Sequence, residues 1–301
     1  MPVRTRADSP RSPEASALLH ASHAYSASLY APEDNFVLSI DDLCAPDIRF
    51  FTAVLDGRVI GTAALALREG YGEVKSMFVA PEARGHGAVD ALLHRLVAES
   101  LTLGLPLLRL ETGPLNHAAM RVYARHGFVP CGRFGDYPDG PASVFMQRAV
   151  PVLRRMAPDE DMRPVHALLT GAFAYMDGAI DPPSSMNRMT PADLTEEAGR
   201  AELWVVEGPL ACMILTIKGE TLYLGKLAVA DDWRGSGLVR VMIEQAMARA
   251  RALGLASVSL QTRVELIANQ RVFQALGFVE TGRTAHAGYA RPTSISFARA
   301  V

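Results

Sequence analysis

Apolar and polar positions along the chain switch between strand-like and helix-like periods, and the switches fall in the same order in each half. Phe50 to Leu55 is a mostly apolar run, Asp56-Gly57 is a two-residue hairpin signal, and Val59 to Leu67 continues as a second run. Gly70-Tyr71-Gly72 turns the chain again before Glu73 to Val79, so the pattern predicts a three-strand antiparallel meander. After a turn at Arg84-Gly85-His86-Gly87, Leu92, Leu93, Leu96 and Val97 recur at helical spacing and predict a helix over 90–103, ended by Gly104. Leu107 to Glu111 reads as a short central strand, His117 to His126 as a helix stopped by Gly127, and Phe128 to Phe134 and Ser143 to Arg148 as two more strands. Ahead of the meander, Pro2 to Arg6 reads as a short strand and Ser12 to Leu29 as a helix, with Ser12 and Pro13 as its cap and first turn. Ile40 to Leu43 reads as a short helix.

The second half repeats this order. Val152 to Met156 reads as a strand, Asp159 to Phe173 as a helix, 175–189 as irregular, and Pro191 to Arg200 as a helix capped by Thr190. Leu203 to Val206 and Leu210 to Ile217 flank Glu207-Gly208, and Thr221 to Ala230 completes a second meander. A helix from Val239 to Leu253, a strand from Ser257 to Thr262, a helix from Leu266 to Leu276 and strands near Val279 and Ile295 follow. Residues repeat without a gap at an offset of 150: Val79 with Val229, Arg84 with Arg234, Gly87 with Gly237, Gly104 with Gly254, Thr112 with Thr262, Gly127-Phe128 with Gly277-Phe278. Two copies of domain length indicate a duplicated domain, at 1–150 and 151–301, and not a solenoid.

Composition narrows the function without naming it. The 301 residues are 49% hydrophobic and 21% charged, with a formal net charge of -2, so no broad attraction to nucleic acid or an anionic membrane is expected. The three cysteines, Cys44, Cys131 and Cys212, are scattered and form no CxxC pair. This disfavours a disulfide framework and a thiolate metal site, and predicts a reducing, cytoplasmic setting with no metal. No signal peptide is expected, since Asp8 and Pro10 follow Arg4 and Arg6 without an apolar stretch. The longest apolar runs, such as Val59 to Leu67, are too short to span a bilayer.

The chemistry gathers at the glycine turn. Gly85 and Gly87 lack a Cβ, so the backbone there can take positive φ and approach a ligand closely. The unpaired N–H groups of the helix that follows form its positive end, a ready site for phosphate or diphosphate. The second copy, Arg234-Gly235-Ser236-Gly237, repeats the turn.

These motifs resemble the GNAT family of N-acetyltransferases. The residues that carry the resemblance are Val79-x-Pro81-x-x-Arg84-Gly85-x-Gly87 and Asn116-x-x-Ala119-x-x-x-Tyr123-x-x-x-Gly127-Phe128, and the stretch from Phe134 to Met146 is similar to a bacterial subgroup. The resemblance implies a mixed α/β fold, two tandem GNAT domains, each with a mostly antiparallel central sheet and helices on both faces. It implies acetyl-CoA as cosubstrate and a small-molecule amine as acceptor, of metabolite or amino-acid type. By resemblance Arg84, Gly85, His86, Gly87 and Ala88 hold the diphosphate, Met77, Phe78 and Val79 pair with the pantetheine arm, and Asn116 contacts that arm. Leu227, Ala228, Val229, Arg234, Gly235, Ser236, Gly237 and Leu238 are the matching coenzyme residues of the second copy. Tyr123 matches a general acid near the coenzyme sulfur, and Glu73 a strand position used by a general base. Val89 and Val239 depart from the small residue of the family pattern at the helix start. His86 and His117 read as loop and cap residues.

The resemblance puts the acceptor beside the first-helix loop and the turn before the last strand, where Glu33, Asp34, Asn35, Asp136, Tyr137 and Asp139 suggest a cationic acceptor. The second copy has Phe273, Leu266 and Tyr223 in place of Tyr123, Asn116 and Glu73. Both halves are thus expected to bind acetyl-CoA, with the first the better catalyst, and a monomer suits a chain whose two domains are already fused. The alternative is an acyl-CoA-binding sensor with one or both domains non-catalytic. A dinucleotide-binding oxidoreductase fails because the turn lacks a third glycine and follows a meander rather than a βαβ unit; no Gly-Lys-Ser/Thr follows either turn, which disfavours a P-loop kinase.

Overall fold

In the computed structural model, which describes residues 3–301, the first half runs β1 (Arg4–Ala7), α1 (Pro13–Ala27), β2 (Ile48–Leu55), β3 (Arg58–Arg68), β4 (Tyr71–Val79), α2 (Ala88–Thr102), β5 (Leu107–Thr112), α3 (His117–Arg125), β6 (Val129–Pro130) and β7 (Val144–Ala149). The second runs β8 (Leu153–Met156), α4 (Arg163–Phe173), α5 (Pro191–Arg200), β9 (Glu202–Val206), β10 (Ala211–Lys218), β11 (Thr221–Val229), α6 (Leu238–Ala252), β12 (Ser257–Arg263), α7 (Ile267–Ala275), β13 (Val279–Thr284) and β14 (Ser294–Ala300). Two compact units result, one over residues up to 151 together with 235–237, the other over 152–234 and 238–301.

Each unit contains one seven-stranded sheet, ordered β1-β2-β3-β4-β5-β7-β6 and β13-β14-β12-β11-β10-β9-β8. Neighbours are antiparallel except β4 with β5 and β11 with β12, where a helix carries the chain back to the same sheet. In the β2–β3 hairpin Asp56 and Gly57 take φ of 49° and 83°, the left-handed pair that matches strand twist in a two-residue loop.

Helices cover both faces of the first sheet. On one face α1 packs Ala15 and Leu19 against Phe50, Ala64 and Ala66. On the other, α2 buries Leu92, Leu93, Leu96 and Val97 completely, and Gly61 of β3 comes close to Leu92. Each such side chain contributes roughly 1.5–3 kcal/mol of burial. In the second unit α4 and α5 put Val165, Leu168, Leu169 and Leu194 into one cluster with Leu203, Val205 and Ile214 of the sheet.

Several local expectations shift. Pro2 lies outside the described residues, and the first strand begins at Arg4. Ser12 holds the N-cap position of α1 in extended conformation, but its side chain makes no capping bond and its Oγ is buried without a partner. The segment predicted as helix over 40–43 is a single 3-10 turn, Asp42–Cys44. The strand expected over 128–134 shrinks to Val129–Pro130, since Pro130 has no N–H to continue a ladder. The helix expected from Asp159 starts at Arg163, because Asp161 turns back to accept from the Arg163 main-chain N–H and guanidinium. Thr190 does cap α5, in a reciprocal capping box with Asp193.

Candidate active site

β4 and β5 pair over three positions only, Gly72 with Leu108, Glu73 with Arg109 and Val74 with Leu110. Both strands run on, to Val79 and Thr112, and so they part. A bulge in β4 sharpens the divergence. Its register with β3 shifts between Thr62 and Ala64, Ser76 takes a φ of 50°, and the Ser76 carbonyl accepts from Thr62 Oγ1 at 2.9 Å. Beyond Val74 the edge of β4 that faces β5 has no ladder partner there. A cavity of about 1100 Å3 opens beside it, slightly above the usual range of roughly 300–1,000 Å3 for small-molecule sites.

One wall of the cavity is the glycine turn, with Arg84, Gly85, Gly87 and Ala88. Gly85 and Gly87 take φ of 84° and 81°, a region that only glycine enters without strain. A Cβ on Gly85 would meet nothing within 4 Å, and one on Gly87 would come no nearer than 3.8 Å to Asp90 Oδ2. The concave side of the turn is therefore open, and the first N–H groups of α2 face it without intrahelical partners. A phosphate or diphosphate fits such a cradle. Asp90, in the first turn of α2, would oppose an anion if it stood alone. Its Oδ1 lies 2.6 Å from His126 Nε2 and 3.0 Å from Arg125 Nη2. Burial raises the Asp90 pKa, but these partners outweigh it and hold the carboxyl below its ordinary range, as an offset charge.

The inner wall carries the groups able to move protons. Tyr123, on α3, is 7% exposed and lines the cavity beside Phe128. Burial, with a smaller contribution from Glu111, pushes its phenol far above the usual value, so the hydroxyl is firmly protonated. Glu111, at the end of β5, lines the same cavity and accepts from Ser143 Oγ at 2.8 Å. Burial raises the Glu111 carboxyl, and nearby Glu73 adds to this; the Ser143 bond and Lys75 pull the other way but do not restore the ordinary value. Asn116 is at the N-cap position of α3, with Nδ2 3.4 Å from Thr112 Oγ1.

Most of the residues singled out from sequence in the first half meet here. Met77, Phe78, Val79, Arg84, Gly85, Gly87, Ala88, Asn116 and Tyr123 all line the cavity, and so does Val89. His86 is not among the lining residues; its Nδ1 turns to the Ala83 carbonyl at 3.3 Å. Glu73 is also outside the lining. It is 5% exposed, accepts a hydrogen bond from Tyr137, and lies 3.4 Å from Lys75 Nζ and 3.7 Å from Arg68 Nε. Its Oε1 is thus engaged by Tyr137 and Lys75, while Oε2 has Arg68 at the longer distance. Of the acidic mouth expected from sequence, Asp34 and Asn35 line the cavity; Glu33, Asp136, Tyr137 and Asp139 do not.

Glu111 was not singled out from the sequence, because alternation along β5 gives it the same half-buried status as Leu107 and Arg109. A signal did exist in the comparison of the two copies: Gln261 stands at the Glu111 position, just as Phe273 stands at that of Tyr123.

The second half keeps the frame and fills the space. Lys226, at the offset of Ser76, repeats the left-handed bulge with a φ of 48°. Leu227, Ala228 and Val229 end β11, and Arg234, Gly235, Ser236, Gly237 and Leu238 turn into α6. Ser26, Tyr30 and Asn116 line the first cavity; at their offsets Met176, Ile180 and Leu266 are buried against one another, with Phe173 packed alongside. Arg234 donates to the Ala172 carbonyl at 3.2 Å, pairs with Asp231 at 2.8 Å and lies over the Tyr175 ring, whereas Arg84 lines an open wall. At these three offsets the second half therefore has apolar side chains packed together where the first half has cavity lining.

Among the described residues no helix is long and apolar enough to cross a membrane, and no cluster of histidine, cysteine and carboxylate side chains could hold a metal. The model of the acetyltransferase (GNAT) family matches residues 16–128 and again 175–278, well over half the chain. An IAA acetyltransferase of Azospirillum brasilense is 42% identical over 126 residues, covering 41% of this chain and 82% of that protein. YsnE of Bacillus subtilis, an uncharacterised N-acetyltransferase, is 32% identical over 130 residues, 42% of this chain and 86% of its own. Among solved structures, nourseothricin acetyltransferase is 30% identical with a TM-score of 0.32, covering 35% of this chain and 67% of that one. With the family's pattern present twice and acetyl-CoA-dependent acetyl transfer the activity its members share, this chain belongs to the GNAT acetyltransferase family, as a tandem of two such domains.

Proposed function

We propose that the first half moves an acetyl group from acetyl-CoA to a primary amine of a small metabolite or amino-acid-like acceptor. The observation that carries this reading is a single cavity joining the open glycine turn to Glu111 and Tyr123. Arg84, Gly85, Gly87 and Ala88 would hold the diphosphate, with Met77 to Val79 and Asn116 along the arm. When bound, the coenzyme supplies an acetyl group activated as a thioester. In the free protein the β5-facing N–H groups of β4 beyond Val74 lack a ladder partner, so they remain available as donors to a ligand.

Glu111 is the base this geometry favours, in preference to Glu73. Burial raises the Glu111 carboxyl, which strengthens it as a proton acceptor for an ammonium brought beside it. The freed amine nitrogen forms its bond to the acetyl carbon as the carbon–sulfur bond breaks. Tyr123 gives its phenolic proton to the departing sulfur; the nitrogen sheds its second proton, Glu111 passes its own to solvent, Tyr123 recovers one, and one proton is released overall. Positioning of the two partners supplies the remainder of the rate.

For the second half, the packing of Met176, Ile180 and Leu266 favours the other reading, a domain without turnover. Calorimetric titration of acetyl-CoA into the intact protein, paired with thiol release on an amine panel, tests the proposal. Binding is expected, and Tyr123→Phe is expected to lower kcat by about tenfold to a thousandfold, the scale of general acid loss. Absence of binding heat, or an unchanged kcat in the variant, would overturn the cofactor and acid assignments respectively.

A further inference from the structure

The coenzyme does not account for every charge in the cavity. Lys75, on β4 just past the last residue paired with β5, lines it with 11% of its side chain exposed. Glu111 lines it too. The two are near enough for Lys75 to hold down the Glu111 carboxyl, yet no ion pair joins them, and Glu111 has no ion-pair partner among the described residues. Lys75 is paired with Glu73 at 3.4 Å and Glu111 has only the Ser143 hydroxyl, so the cavity presents an ammonium with one long ion pair and a carboxylate with none, which a ligand carrying both charges would complement.

An internal structural role does not exhaust Lys75. Its ammonium donates to Tyr137 Oη and lies 4.9 Å from the centroid of that ring, but its contacts to the Phe36 carbonyl and to Glu73 Oε1 are each 3.4 Å long. A strong charged hydrogen bond is about 2.7–2.9 Å. Glu73, for its part, also has Tyr137 as a donor and Arg68 nearby. Lys75 touches both the loop after α1, through Phe36, and the β6–β7 loop, through Tyr137, the two segments expected from the sequence to lie beside the acceptor. The second half makes the same point in reverse. Gly225 stands at the position of Lys75 and Gln261 at that of Glu111, so both charges are missing where the cavity is filled.

We propose that the acceptor is a zwitterion of amino-acid type, with its ammonium beside Glu111 and its carboxylate on Lys75. Lys75 is then a specificity-determining residue, and the cationic preference suggested by the acidic loops gives way to a need for both charges. This inference rests on the reading of the cavity as an acetyl-transfer site.

The test uses matched sets: each of the common α-amino acids, its primary amide, and the amine left when the carboxylate is removed. Thiol release from acetyl-CoA is measured on the full chain. The expected result is at least one amino acid whose kcat/KM exceeds that of its amide and amine by tenfold or more. Lys75→Met is expected to bring the amino acid down to the level of its amide through KM, while Lys75→Arg, which keeps the charge, retains a preference. Equal or better use of the amides or amines overturns the proposal, and so does a panel in which no amino acid is acetylated although calorimetry detects acetyl-CoA binding. Loss of coenzyme binding itself is a different failure and strikes the parent reading. Should Lys75→Met not fold, the wild-type comparison and Lys75→Arg still decide.

Discussion

Glu111 and Glu73 show how little residue type says about role. They sit on adjacent strands of one sheet, and each is near Lys75. Glu73 is held by Tyr137, Lys75 and Arg68, while Glu111 has one hydroxyl partner and a face on the cavity. Burial raises the Glu111 pKa, so its ionisation should govern the acidic limb of kcat/KM. Activity is expected to fall as pH drops through that raised value, at higher pH than an ordinary carboxylate would give, and Glu111→Gln should cost about a hundredfold or more and remove the limb. The sign for stability is the opposite. A pKa raised in the fold means that the folded protein binds the proton more tightly than the unfolded chain does. The favourable contribution is complete below the unfolded value and is lost as pH rises through the folded one. Glu111→Gln is therefore expected to raise Tm at neutral pH while it lowers turnover, measured by thermal melts at matched pH. A variant less stable than wild type at pH 7 would mean that the carboxylate is structural.

At the scale of elements, the site depends on a strand that stops pairing and a turn that takes positive φ. Gly87→Ala tests the second. Forcing an L-residue into the left-handed region costs about 1–2 kcal/mol, and Tm should fall by several degrees. Because no Cβ clash arises there in the free protein, a larger loss in acetyl-CoA affinity than in stability would mark the turn as a ligand cradle; equal losses would mark it as a folding requirement only. The sequence made most of this scale legible. The Asp56-Gly57 hairpin, the glycine turns and the capping residue Thr190 are signals from single residues with one physical reason each. What was not legible depended on where strands part. Alternation along β5 places Leu107, Arg109 and Glu111 on one face, but only the divergence past Val74 turns Glu111 into a cavity wall. The bulge was hidden for the same reason, since Ser76 and Lys226 are not residues that announce a φ near 50°. Pro130, by contrast, is a strand breaker plain in the sequence, and the ladder stops at it.

For the whole chain the two halves share a frame and differ in what fills it. A single acetyl-CoA per chain is the expected stoichiometry, measured by calorimetry on the intact protein, with Gly87→Ala diminishing the heat of that one site. Two equivalents would mean that the apolar cluster of Met176, Ile180 and Leu266 yields to the coenzyme. That cluster has a further consequence. Once a gene is doubled, one copy can trade an aperture for cohesion: on the reading proposed above, three side chains at the offsets of cavity-lining residues serve as mortar. A lineage that took this path would find the exchange hard to reverse, because restoring a passage means giving up several well-buried contacts at once, long before any new chemistry could reward it.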